Sequence, residues 1–252
     1  MVPARAKTMI YREQGVVLRT YRLGEADRIV VFMTEGRGKV RAVVKGVRKT
    51  KSRFGSRLEP LSHVSLILYE GRNLDTVTQA EVLDHFRPVR EDLERFSKAQ
   101  SLLEAVDSVA QEAQANPRLY QMLVGALRSL AAADSPLLVG AFFWKLLSLE
   151  GYQPVLDVCV SCGADESGLS GFDADAGGAL CGDCRRRPGV VPITRPALEL
   201  MRRVLGGGLA DALREPAGPA SHEVATLATA AFEHHVERRL RSMAVASAVA
   251  RH

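Results

Sequence analysis

The chain has 252 residues, 46% of them hydrophobic, which is enough for one large or two modest domains with a real core. Its net charge of +5 is unevenly spread: residues 1–90 carry 18 Lys and Arg against 9 Asp and Glu, a net of +9, which leaves −4 for the rest. This excludes a polyanion-binding surface over the whole chain and points to a basic N-terminal unit joined to a mildly acidic remainder. It also excludes a membrane helix, because the most apolar run, Leu137 to Leu149, is too short and contains Lys145.

Residues 1–10 hold charge before any apolar stretch and offer no leader or cleavage site, so a reduced cytoplasm is the expected compartment. The first unit then reads as β. Strands are predicted over Gly15 to Tyr21, Arg28 to Met33, Lys39 to Lys45, Leu61 to Tyr69 and Leu74 to Val82. The turns between them, at Leu23 to Glu25, Thr34 to Gly38 and Glu70 to Asn73, are rich in residues that accept positive φ or form short turns. Three strands, a non-strand stretch from about Gly46 to Leu58, and two more strands fit a small five-stranded barrel of the OB type, although an SH3-like barrel has the same count.

From Arg37 to Arg57 there are nine basic residues and no acid: Arg37, Lys39, Arg41, Lys45, Arg48, Lys49, Lys51, Arg53 and Arg57. Arg37, Lys39 and Arg41 alternate with Gly38 and Val40, so a period of two predicts one cationic face. Such a row repels itself, a cost that makes sense if phosphates lie across it. Tyr11, Tyr21 and Phe54 stand among these cations, the ingredients of a groove in which bases stack; the alternatives are a solvated basic face and aromatics that belong to the core.

From about Arg90 the periodicity becomes helical. Leu93, Phe96, Leu103, Val106, Ala110 and Ala113 form one stripe. Asn116-Pro117 and Ser135-Pro136 read as caps that start helices running to about Ala132 and Glu150, with Gly151 beyond the second. The helix from Leu137 to Leu149 is apolar nearly all round, as at the centre of a bundle. Further helices are predicted over Ala197 to Leu205 and Ser221 to about Arg241, separated by a Gly- and Pro-rich break.

The four cysteines of the chain fall as Cys159-x2-Cys162 and Cys181-x2-Cys184. Two such turns can complete an all-sulfur tetrahedron suited to one structural zinc ion, with Zn–S distances of about 2.3 Å and no open position for water. The competing readings are a redox dithiol and chance buried or disulfide-bonded cysteines. No nucleotide-phosphate loop, dinucleotide fingerprint or nucleophile elbow is found, so no catalytic residues are assigned and an enzyme is not expected. His234 and His235 are adjacent on a helix and cannot form an i, i+4 metal pair. Asp173-x-Asp175 lacks the remaining ligands of a calcium loop and reads as a turn. Arg185-Arg186-Arg187 is a second basic cluster, either solvated or in contact with nucleic acid.

Gly24-Glu25-Ala26-Asp27-Arg28, the run Val44-Lys45-Gly46-Val47-Arg48-Lys49-Thr50-Lys51-Ser52-Arg53-Phe54, Leu58-Glu59-Pro60-Leu61-Ser62 and Gln79-Ala80-Glu81 resemble the bacterial DNA repair family RecO. The resemblance covers essentially the whole chain except Gly206 to Ala220. It implies an α+β multidomain protein: an OB-fold nucleic-acid-binding barrel over residues 1–88, then an α-helical domain over 89–252, interrupted at about 155–190 by the four-cysteine zinc insertion. It also implies a recombination mediator. Such a protein binds single- and double-stranded DNA, anneals complementary strands, joins a RecR-type ring protein and the single-strand-binding protein, and helps load RecA recombinase at the nucleoid. On that reading the nine basic residues contact phosphates and Phe54 is a stacking candidate. The helical domain would take the tail of the single-strand-binding protein. An RNA-binding or transcription-regulating zinc-containing OB protein is the alternative.

Overall fold

The computed structural model describes residues 9–48, 52 and 54–236. Packing divides the chain into two compact units, the first reaching Ala132 and the second starting at Ala133.

The first unit is built on five strands, β1 (Ile10–Leu23), β2 (Asp27–Thr34), β3 (Gly38–Val44), β4 (His63–Tyr69) and β5 (Asp75–Asp84), each rich in the β-branched residues that suit a pleated, half-buried surface. They close in the order β1-β2-β3-β5-β4. All neighbours are antiparallel except β3 and β5, which pair in parallel only through Ala42 with Asp75 and Val43 with Thr76. This is the OB-type barrel, and it leaves no sheet edge along β1, β2 or β4. Val17, Val30, Phe32, Val40, Ala42, Leu66 and Leu68 fill the interior, and Val47, Phe54 and Leu58 from the β3–β4 connector join the same cluster.

One irregularity decides what the barrel presents outside. Val17 faces Phe32, yet Arg19 faces Val31, so one extra residue is inserted at Leu18. A strict period of two would put Val17, Arg19 and Tyr21 on one face, inside the barrel. The bulge turns Arg19 and Tyr21 outward instead.

Among the described residues of this unit, three α-helices follow the barrel: α1 (Arg87–Arg90), α2 (Leu93–Val109) and α3 (Pro117–Ala132). The Asp92 side chain caps α2 by accepting from Arg95 N at 2.9 Å, and Asn116 Oδ1 accepts from Leu119 N at 3.1 Å, as its place before Pro117 led one to expect. Because α2 and α3 lie on β1 and β2, Val31 and Met33 point out of the barrel and are still fully buried. The change from strand to helix falls between Asp84 and Arg87, and the compact unit runs on to Ala132.

The apolar stripe predicted through Ala113 ends sooner as a helix. α2 stops at Val109 and the chain then follows the edge of β3, where β5 offers no partner. Lys39 N donates to Gln111 O at 3.2 Å, and Ala113 N donates to Lys39 O at 3.3 Å. The backbone groups of Lys39 are thereby satisfied. The strap adopts a left-handed backbone at Ala113, with φ of 58°, at a cost of about 1–2 kcal/mol.

His63, 3% exposed, meets Tyr120 Oη through Nε2 at 2.8 Å and ties β4 to α3. Burial, and then the nearby Arg128 charge, hold its imidazole below the usual 6.5, while Asp84 opposes them. The folded state therefore prefers neutral His63, and the unfolded chain binds its proton first as pH falls. Stability from this group is complete above about pH 6.5 and declines below it. Urea titrations between pH 5 and 8 should show that decline, and His63→Gln should flatten it.

The second unit holds α4 (Leu138–Leu149), α5 (Arg195–Gly206), α6 (Leu209–Ala212) and α7 (Pro219–His235), with a small sheet in the order β7 (Gly178–Cys181), β6 (Leu169–Asp173), β8 (Val191–Pro192). The apolar α4 is the buried centre, as its sequence indicates: Phe142, Phe143, Trp144, Leu146 and Leu147 are all buried. Gly140 permits its crossing with α7, since a Cβ there would sit 2.7 Å from Ala225 Cα. Phe143 and Phe232 stack across that crossing at 4.9 Å. α4 starts two residues later than Pro136 suggested, because Ser135 Oγ accepts from Leu137 N in a preceding turn. α7 is described to His235, and its expected continuation to Arg241 lies outside the described residues. Among the described residues, no helix is long and apolar enough to cross a membrane.

Candidate nucleic-acid interface and metal centre

The four cysteines converge, although 18 residues separate the two pairs in sequence. Their sulfurs all lie within 4.8 Å of one another, and Cys162 Sγ is 3.7 Å from Cys181 Sγ. No disulfide joins them. Four sulfurs around an ion at about 2.3 Å would be about 3.8 Å apart, so the donor set fits a four-coordinate metal. The two turns are set by backbone bonds: Gly163 N to Cys159 O and Cys159 N to Ala164 O, both 2.8 Å, with Gly163 at φ of 75°. On the other side, Gly182 N donates to Gly168 O at 3.1 Å.

Charge alone cannot be shared evenly here. Burial pushes the Cys159 thiol up, but hydrogen bonds from the backbone of Cys181, Cys162 and Ser161 outweigh it and draw the group down to about 6. For Cys162, the backbone of Ala164 pulls down while the sulfurs of Cys159, Cys184 and Cys181 push up, to about 12. A dication at the centre removes that conflict by stabilising every thiolate at once. Around the centre, Arg202 of α5 ties the insertion to the helices, pairing with Asp157 at 3.1 Å and Glu166 at 2.9 Å. Asp173 Oδ1 accepts from the backbone of Asp175 and Ala176, which makes this segment the expected turn. Arg185 and Arg187 bond to Ser170 O and Ser161 Oγ of the insertion itself, while Arg186 is exposed.

On the barrel, Lys39 and Arg41 share the outward side of β3 as the alternation predicted, but Arg37 leaves the row and Lys39 is covered. Gly38, at φ of 67°, turns the chain so that the Arg37 guanidinium lies 3.8 Å over the Tyr11 ring and pairs with Glu70 at 3.4 Å. Lys39 points outward, but its side chain is only 14% exposed, and Nζ donates to Asp107 O at 2.7 Å beneath the end of α2. Phe54, the stacking candidate, is 2% exposed in the barrel core, so its ring has no face free for a base. Lys49, Lys51 and Arg53 lie outside the described residues.

Arg41, Lys45, Arg48 and Arg57 are exposed. Register brings the first of these together with residues that the basic run did not announce. Arg19, Val31 and Arg41 form one cross-strand row, and Tyr21, Ile29 and Val43 the next. Tyr21 is 43% exposed, and the Arg19 guanidinium stands 5.0 Å from its ring centre. Leu23, opposite Asp27, follows Tyr21 by strand alternation on the same face, Lys45 and Arg48 are exposed, and Arg48 is held at the β1–β2 turn by Glu25 O at 2.9 Å. The result is an aromatic and aliphatic strip bordered by cations. Sequence periodicity missed Arg19 because the bulge at Leu18 reverses the face it occupies.

In the second unit, a cavity of about 480 Å³ is floored by Trp144, Leu147 and Phe172. His234 and His235 stand at its rim but do not act as a pair: His234 Nε2 is 2.7 Å from Asp175 Oδ1, whereas His235 packs on Tyr152.

A closed five-stranded barrel of the OB type, followed by a helical unit whose four clustered cysteines could hold a metal ion, defines the architectural class. Comparison with known proteins is specific within that class. The model of the recombination protein O N-terminal domain matches residues 9–86, and that of the recombination protein O C-terminal domain matches residues 90–244. The DNA repair protein RecO of a Nocardioides species is 42% identical over 243 residues, covering 94% of this chain and 98% of its own. That of Frankia casuarinae is also 42% identical, over 238 residues, covering 93% and 97%. The chain belongs to the RecO family.

Proposed function

We propose that this protein is a recombinational DNA repair mediator. It binds single- and double-stranded DNA on the outer face of the barrel and anneals complementary strands. With a RecR-type ring protein it helps load RecA recombinase onto DNA coated by the single-strand-binding protein. The observation that carries this reading is the exposed face of Arg19, Tyr21, Arg41, Lys45 and Arg48. Cations there neutralise phosphates without reading sequence, so two backbones that repel in solution can be held side by side. Tyr21, with Ile29 and Val43 beside it, offers unpaired bases an apolar seat. Arg57 is a further exposed cation of this unit, and Lys49, Lys51 and Arg53 add to its positive charge in sequence. No covalent chemistry is required, and the place of action is the cytoplasm at the nucleoid. The metal is one structural zinc ion held by Cys159, Cys162, Cys181 and Cys184. The helical domain takes the tail of the single-strand-binding protein, and the cavity lined by Trp144 and Phe172 is the candidate seat.

The test is annealing of two complementary, unstructured oligonucleotides, read by fluorescence, with binding measured at several salt concentrations. Arg41→Ala/Lys45→Ala/Arg48→Ala should abolish annealing and flatten the salt dependence of single-strand affinity by about 0.7 of a logarithmic slope for each lost contact, the fold remaining intact. Tyr21→Ala should weaken single-strand binding by about 1–3 kcal/mol and leave duplex binding unchanged. Tight binding to RNA alone, or to one sequence alone, with no annealing, would move the barrel to an RNA-binding or transcription-regulating role.

A further inference from the structure

Three cations on the outside of the barrel, Arg19, Lys39 and Arg41, are paired with acids from one segment. Asp107, in the last turn of α2, lies 2.9 Å from Arg19 Nε and 3.5 Å from Lys39 Nζ. Glu112, in the strap that follows α2, lies 3.5 Å from Arg41 Nη1. Arg19 and Arg41 flank Val31 in one cross-strand row, so two carboxylates from residues 107–112 stand over the row that leads to Tyr21.

We infer that Asp107 and Glu112 are built-in competitors of phosphate, and that they determine which anions this face accepts. Three observations support this beyond the ion pairs. The side chains of Arg19, Arg41 and Glu112 are 49%, 42% and 56% exposed, so an incoming anion can reach both cations while they are paired. The strap is joined to β3 through the backbone of Lys39 and carries the strained Ala113, so it is a clip held at a conformational cost. Lys39 is covered, which assigns it to holding α2 and leaves Arg19 and Arg41 as the cations exchanged.

The chemistry selects the ligand. A single carboxylate or phosphate gains at one cation what it displaces there. A strand, with phosphates at regular spacing, meets both cations at once and also seats a base on Tyr21, so it wins where small anions do not. The face therefore discriminates against single small anions such as free phosphate and admits a polynucleotide.

This inference rests on the nucleic-acid reading of the face, and its test separates the two. Single-strand affinity is measured across salt concentrations for wild type, Glu112→Gln and Asp107→Asn. Glu91→Gln serves as control, since it removes the same charge from a pair with Arg87 on α1, which has no residue in the face. Glu112→Gln is expected to bind about fivefold more tightly at 0.1 M salt, with a slope steeper by about 0.7, the contribution of one added contact. Asp107→Asn should act in the same direction through Arg19, and the exposed Glu112 keeps the test decisive if Asp107→Asn loosens α2. Inorganic phosphate should compete measurably better for the Glu112→Gln face than for wild type. Glu112→Gln that matches wild type in affinity and slope, or a gain equalled by Glu91→Gln, overturns the competitor role. Absence of strand binding in wild type and all variants overturns the reading beneath it.

Discussion

Chelation of the zinc ion proposed at the four-cysteine cluster is expected to melt the insertion while the barrel unit stays folded. The insertion has few buried apolar residues of its own, chiefly Leu169, Phe172, Ala179 and Leu180. Its strands are short, with β7 of four residues and β8 of two. Structural zinc sites of this kind contribute about 10–16 kcal/mol of apparent binding free energy, and where the apo chain has no competing fold that becomes folding free energy. Trp144, the one tryptophan of the chain, reports the event, because its ring meets the edge of Phe172 on β6 at 5.5 Å. Chelation, or Cys181→Ser, should expose that contact and shift tryptophan emission to the red. Hydrogen exchange in β1 to β5 should stay slow. Emission that is indifferent to chelation would mean that the hairpin holds by packing alone.

Gly38→Ala is expected to be the most damaging small substitution in the first unit. A Cβ there would fall 1.8 Å from Gln114 O and 2.6 Å from Gln114 C. Both are backbone atoms, so no side-chain rotation gives relief. The residue also sits at φ of 67°, where alanine costs about 1–2 kcal/mol before any clash. Relief requires moving the strap away from β3, which sacrifices the two bonds at Lys39, each worth about 1 kcal/mol. The sum is about 3–4 kcal/mol, read as a lower urea midpoint with an unchanged slope. A loss within 1 kcal/mol would show that the strap moves freely.

What could be read in the sequence is what is written locally. The cysteine pairs were legible because each C-x2-C builds its own turn. The strands were legible because alternation and turn residues are short-range signals. Asn116 announced its helix by standing before a proline. What failed depended on distance or on a break in periodicity. Nothing near Lys39 says that its ammonium is claimed by Asp107, 68 positions on. Phe54 stands in a run of cations, yet the barrel needs a plug at its end and the connector supplies one. Alternation is a sound rule until one residue is inserted, and the insertion at Leu18 carried Arg19 and Tyr21 to the side that periodicity denied them.

The order of the parts along the chain bears on how the protein is made. The last strand of the barrel ends at Asp84 and the last helix of the first unit at Ala132, whereas the first cysteine is residue 159. Synthesis at about 5–20 residues per second lets an N-terminal unit form before the next has emerged. The barrel can therefore mature on the ribosome without reference to the supply of metal. With the proposed zinc ion at the cysteines, a zinc-starved cell would still make a nascent protein with a finished barrel, and scarcity would be felt only by the half made afterwards.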